Sequence, residues 1–213
     1  DFGTGKMKKG FTLLELLIVV GILTILTTAA VLILNPPELL ARARDGKRMN
    51  DLDAIKNAVN LYLATATSTD VSEGISGDIA YVSTSGALCS FNGVINWPNP
   101  IYSGAIWCQE NTSRNIDGTG WVSVDFKKIS GGSPIAVLPI DPINNTVYYY
   151  AYAGDESDKT FELNARLESQ KYRDKMINDG GDRNNCVIYT EINCFYEIGN
   201  DPGLNERDDL PVL

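Results

Sequence analysis

Apolar residues are unevenly distributed along the chain. Residues 11–34 are almost wholly apolar, and Glu15 is the only charged position among them. A run that is apolar on every side shows no amphipathic period, so its length carries the information. As a helix it extends about 36 Å at ~1.5 Å per residue, enough to cross a hydrocarbon core of about 30 Å. Asn35-Pro36-Pro37-Glu38 then interrupts the run. That tetrad reads as a helix restart: Asn as cap, prolines where no N–H is needed, and Glu reaching back from the third position. The prolines also break the preceding hydrogen-bond ladder. A kink or melted turn is expected there, with Gly46 as a second weak point. Beyond them Leu52, Ile55, Val59, Tyr62, Leu63 and Ala66 recur at helical spacing and define one apolar face.

The pattern changes after this helix. Residues 65–77 are rich in Thr, Ser, Asp and Gly and read as its exit. Strand-like runs follow at 79–84, 121–126, 147–152, 161–167, 187–192 and 195–198, with β-branched and aromatic residues frequent in the later ones. One long helix followed by strands predicts an α+β chain, with a small antiparallel sheet packed on the apolar helix face.

Composition narrows the function. Apolar residues make up 44% and charged residues 21%, as in globular chains. The net charge is -9, and an acidic body repels phosphate backbones, so general nucleic-acid binding is not expected. Histidine is absent, which removes the commonest general base and zinc ligand. No nucleophile–base pair, phosphate loop or metal cluster is evident, so neither enzymatic activity nor a cofactor is expected. The four cysteines, Cys89, Cys108, Cys186 and Cys194, form no C-x-x-C motif. An even count beyond a membrane segment favours disulfides in an oxidising compartment, and the sequence-local pairs Cys89–Cys108 and Cys186–Cys194 are expected.

Lys6, Lys8 and Lys9 precede the apolar run, which places the N-terminus in the cytoplasm and the body outside. Gly10 stands between these lysines and the run, where a plain anchor has no need of a small residue. Lys8-Lys9-Gly10-Phe11-Thr12-Leu13-Leu14-Glu15, continued by Leu16 to Val20, resembles the class III signal of type IV pilins and pseudopilins. The resemblance implies cleavage after Gly10 by a prepilin peptidase, N-methylation of the new terminus at Phe11, and filament assembly through Phe11 and Glu15. Met7 offers an alternative start with a very short leader. A buried amine and a buried carboxylate both lack water, and pairing them across subunits removes both penalties. The implied organisation is a cytoplasmic leader at 1–10, a transmembrane and filament-core helix at 11–34, its amphipathic continuation at 35–68, and an extracytoplasmic pilin-like body at 69–213. The implied partners are further pilin-like subunits including copies of itself, the peptidase/methyltransferase, an inner-membrane assembly platform, and lipid before assembly. The expected course runs from a single-pass inner-membrane precursor to an extracytoplasmic or cell-surface filament.

Leu138-Pro139-Ile140-Asp141-Pro142-Ile143-Asn144-Asn145 resembles the L-P-x-D-P-x-x-N turn of major pseudopilins. Their Gly- and Asp-rich metal loop is not reproduced. Gly154-Asp155-Glu156-Ser157-Asp158-Lys159 stands there and is expected to be a hairpin tip without a high-affinity calcium site. Tyr148, Tyr149, Tyr150 and Tyr152 are expected to alternate between core and outer face. Arg42, Arg44, Lys47 and Arg48 read as a solvated helix face, with lipid headgroups or acidic neighbours as possible contacts. Asn111-Thr112-Ser113 and Asn144-Asn145-Thr146 match a short sequon that often arises by chance. The competing function is a membrane-anchored binding module that never polymerises and recognises a ligand through the 89–108 stretch.

Overall fold

The computed structural model describes residues 10–72, 79–85, 107–181, 186 and 194–202. The chain divides into two compact units, Asp1–Leu40 and Ala41–Leu213. Helix α1, Leu13–Leu34, belongs to the first. Its N-terminus carries a full capping box. The Thr12 hydroxyl accepts from the Glu15 N–H at 3.2 Å, and the Glu15 carboxylate accepts from the Thr12 N–H at 2.9 Å. Thr24, Thr27 and Thr28 donate their hydroxyls to carbonyls one turn back, so these polar side chains are satisfied within the helix. Asn35 ends α1 in the left-handed conformation, φ 43°, where Asn is among the better tolerated residues. Its carbonyl then accepts from the N–H groups of Glu38 and Leu39 and opens α2, Pro36–Thr65. The interruption expected at the proline pair thus falls on Asn35, while α2 continues unbroken through Gly46.

The second unit contains α2 from Ala41 onward and a five-stranded sheet. Its strands are β1 Ile79–Val82, β2 Trp107–Glu110, β3 Tyr150–Asp155, β4 Thr160–Ala165 and β5 Tyr196–Gly199. Their spatial order is β2-β1-β3-β4-β5. Four strands, β1-β3-β4-β5, pair antiparallel, with Tyr152 opposite both Tyr81 and Leu163, and Leu163 opposite Ile198. The fifth strand, β2, pairs parallel to β1, a departure from a purely antiparallel sheet. The fold is a pilin-like α+β arrangement: a long apolar N-terminal helix, then an antiparallel sheet packed on the helical continuation.

Alternation along the strands builds the core. Tyr150, Tyr152, Phe161, Leu163, Ala165 and Ile198 join Leu52, Ile55, Ala58, Val59 and Tyr62 of α2 in one buried cluster. Full burial of one such side chain contributes about 1.5–3 kcal/mol. Trp121, Val122, Val124 and Phe126 enter the same core but form no strand. Their backbone bonds go to neighbouring coil instead, Trp121 N–H to Ser113 and Phe126 N–H to Ile116, with one isolated bridge between Asp117 and Asp125. β3 begins at Tyr150 rather than 147. The Asn145 side chain accepts from the N–H groups of Val147 and Tyr148 and holds them in a turn. The run at 187–192 lies outside the described residues.

Candidate functional site

Three features of the sequence bear on function: the processing motif, the basic stretch of α2 and the turn at 138–145. Gly10 and Phe11 are exposed ahead of α1, and Lys6, Lys8 and Lys9 lie outside the described residues. α1 exposes apolar side chains along its length, from Leu13 to Leu34. Leu13–Val31 has the length and composition of a membrane span. The Glu15 carboxylate receives both the Thr12 N–H and the Thr12 hydroxyl, at 2.9 and 2.8 Å, through Oε2. Thr12-x-x-Glu15 is a readable capping signature, and reading Glu15 only as an intramembrane acid misses it.

The basic stretch of α2 is not a solvated face. Arg48 is fully buried. Its Nε and NH2 donate to the two oxygens of Asp141 at 2.6 and 3.0 Å, and NH1 donates to Asp45 at 2.9 Å. NH1 also pairs with Glu168, and Tyr148 lies against the guanidinium with its centroid 4.9 Å away. Arg44 binds Glu168 from the solvent side through Nε and NH2. Lys47 behaves as expected of a surface cation and pairs with Asp51 one turn on. The solvated reading therefore holds for Lys47 and fails for Arg48. Position 48 continues the buried register of Leu52 and Ile55 backward, and Asp45 and Ala41 continue it further. Extending the apolar period upstream would have identified them.

Each carboxylate of this knot has further donors, as burial demands. Asp141 accepts from the N–H groups of Ile143 and Asn144, closing the Leu138–Asn145 turn. Asp45 accepts from those of Glu168 and Ser169. Burial opposes the charged form of Arg48, but the bonds and charge of Asp141 and then Glu168 outweigh it and raise its pKa. Burial likewise raises the pKa of Glu168, and Arg44 and then Arg48 more than reverse this, holding it below the ordinary value of 4.5. A depressed folded-state pKa adds stability that is present above the unfolded value and lost as pH falls through the folded one. Wild type should therefore melt above Glu168→Gln at pH 7, and the gap should close below about pH 4. Parallel melts from pH 7 to 3 check this; a gap independent of pH would contradict it.

Residues 154–159 form the β3–β4 hairpin tip. Asp155 accepts from the Ser157 hydroxyl and N–H, while Glu156 accepts from the Val71 N–H and pairs with Lys159. Among the described residues no group of three His, Cys, Asp or Glu side chains is placed to hold a metal. Tyr150 and Tyr152 are buried, while Tyr148 and Tyr149 meet Arg48 and Phe195. Both sequon asparagines are engaged: Asn111 Nδ2 donates to the carbonyls of Thr119 and Gly120, and Asn144 Nδ2 to Ser83. Cys186 and Cys194 form a buried disulfide. Cys89 lies outside the described residues, and with it the expected Cys89–Cys108 pair.

The fold and the N-terminal motif define the class: a prepilin-like protein. Residues 5–31 match the prokaryotic N-terminal methylation motif. That motif is typical of type IV pilins and pseudopilins, which are typically non-enzymatic, and it implies processing by a prepilin peptidase. With the apolar helix it points to an inner-membrane precursor. Neither a curated protein nor a solved structure matches the chain.

Proposed function

We propose that the mature chain is a structural subunit of a type IV pilus-like or pseudopilus-like filament. The precursor sits in the inner membrane with its N-terminus in the cytoplasm and its body outside. It is cut after Gly10, N-methylated on Phe11 and drawn into the filament by α1. The supporting observation is that α1 presents apolar side chains on every face and a single acid, Glu15, in its first turn. Lipid accommodates such a surface before assembly, and the helices of other subunits do so afterwards. In a plain anchor the acid would serve only the Thr12 capping box.

Shearing the cell surface, imaging the filaments by electron microscopy and immunolabelling them tests this reading. Absence of labelled filaments under inducing conditions would favour the anchored binding module instead. Processing has its own check. Gly10→Val places a branched side chain where the peptidase needs a small one, so uncut precursor should accumulate in the membrane fraction. Mass spectrometry finding a mature terminus other than Phe11 in wild type would refute the assignment.

A further inference from the structure

We propose that residues 167–177 form a redox-sensitive flap, closed at one end by the Arg48 charge knot and at the other by the Cys186–Cys194 disulfide. The flap follows β4 and consists of a single 3-10 turn, Gln170–Tyr172, and a short helix, Arg173–Ile177. Ser169 caps the turn by accepting from the Tyr172 N–H. So short a piece is not stable by itself.

Among its attachments, two sets stand at its ends. At the first end, the N–H groups of Glu168 and Ser169 bind Asp45, and the Glu168 carboxylate binds Arg44 and Arg48. At the second end, Met176 Sδ accepts from the Leu167 N–H at 3.3 Å and lies 3.7 Å from Cys194 Sγ. Leu167, Met176, Cys186 and Cys194 form a small buried cluster of their own, with Met49, Tyr172 and Tyr196 packed against it. Of these residues Tyr196 also packs on the main core. The flap can therefore open while Trp121, Tyr150 and Phe161 stay packed, as a separate unit of low local stability.

The two ends are coupled because they hold the same segment. Cys186 is 4% exposed and Cys194 8%, and Leu167 and Met176 of the flap pack with both, so lifting the flap opens the bond to a reductant. Lifting it removes Glu168 from Arg44 and Arg48 and strips Asp45 of two amide donors. Weakening the charged end must then speed reduction at the sulfur end. By reciprocity, breaking the disulfide must weaken the charged end. Dithiothreitol supplies the balanced step: its two thiols become a cyclic disulfide, and Cys186 and Cys194 become two thiols.

The test uses the full chain in detergent, with alkylation and mass spectrometry counting thiols at Cys186 and Cys194 over time in dithiothreitol. Relative to wild type, Glu168→Gln should be reduced about tenfold faster, since it loses charge-assisted bonds to two guanidiniums. Arg44→Gln should be faster by a smaller factor. Lys127→Gln, which breaks the remote pair with Asp117, should match wild type. Amide exchange in β3 and β4 should quicken no more than the lowered melting temperature of each variant accounts for. If Glu168→Gln also exposes those strands, Arg44→Gln decides, because it leaves Glu168 on Arg48. In the reverse arm, reduced and alkylated wild type should lose protection at the amides of Glu168 and Ser169 while β3 and β4 keep theirs. Equal reduction rates across the variants, or undiminished protection of those two amides after reduction, would overturn the flap.

Discussion

Arg48→Ala should lower the melting temperature of the protein by roughly 6–20 °C. The substitution leaves Asp45 and Asp141 buried without their cation, and losing one member of a buried charged network costs about 3–5 kcal/mol. For a body of this size each kcal/mol shifts the midpoint by about 2–4 °C. Whole domains are stable by only about 5–15 kcal/mol, so this is a large share. Lys47→Ala is the natural comparison. It breaks the exposed pair with Asp51, where a loss of at most about 1 kcal/mol is expected. Arg48→Lys should fall between them, since an ammonium lacks the planar fork that binds Asp141 through two nitrogens. Near-ultraviolet circular dichroism melts report the packing of Trp121 on Tyr150 directly. An Arg48→Ala shift no larger than that of Lys47→Ala would mean that the knot contributes nothing beyond filled volume.

Glu15→Ala should abolish filaments while leaving a processed, membrane-resident protein whose body melts as wild type does. In one subunit within lipid, removing an intramembrane acid is harmless or favourable. The Thr12 capping box is lost, a local effect at the end of a helix that lipid already stabilises. In a filament the consequence differs, because the methylated amine of a neighbouring Phe11 is then buried without a counter-charge. Both bonds from Thr12 fall on Oε2, so Oε1 is available to that amine without dismantling the cap. Glu15→Gln separates the two roles. It retains an oxygen for capping and removes the charge, so it should fail in assembly as alanine does. Sheared-filament yield measured against membrane-fraction protein distinguishes the outcomes. Wild-type yields from either variant would sink the pairing mechanism.

The legibility of this chain in its sequence was uneven, for identifiable reasons. α1 and α2 were visible because helical order is local: a continuous apolar run and a recurring apolar period each report on neighbours within two turns. Asn35 illustrates the limit. The proline pair announced an interruption, but whether it fell on the prolines or on the residue before them depended on which residue tolerates a positive φ. The strands at 79–82, 150–155, 160–165 and 196–199 were found to within a few residues. The segment at 121–126 was misread, since a compact apolar run looks the same whether its backbone pairs in a ladder or with coil. Strand β2 was missed inside the 89–108 stretch and its border, where Gly, Pro and Asn mask a short edge pairing.

What the sequence by itself determined is the processing motif and the apolar helix that follows it. The methylation motif at residues 5–31 and the length and polarity of the run within it are local in sequence, so no tertiary contact is needed to see either. The tertiary structure alone decided the fate of the charges. Arg42, Arg44, Lys47 and Arg48 are chemically alike in sequence, yet one is sealed in the body and another faces solvent. The difference is made by Asp141, 93 residues downstream, and by Glu168 further on, which the sheet brings to that one turn of α2. A buried cation is tolerated only where carboxylates converge on it, and convergence over such separations is a property of the fold.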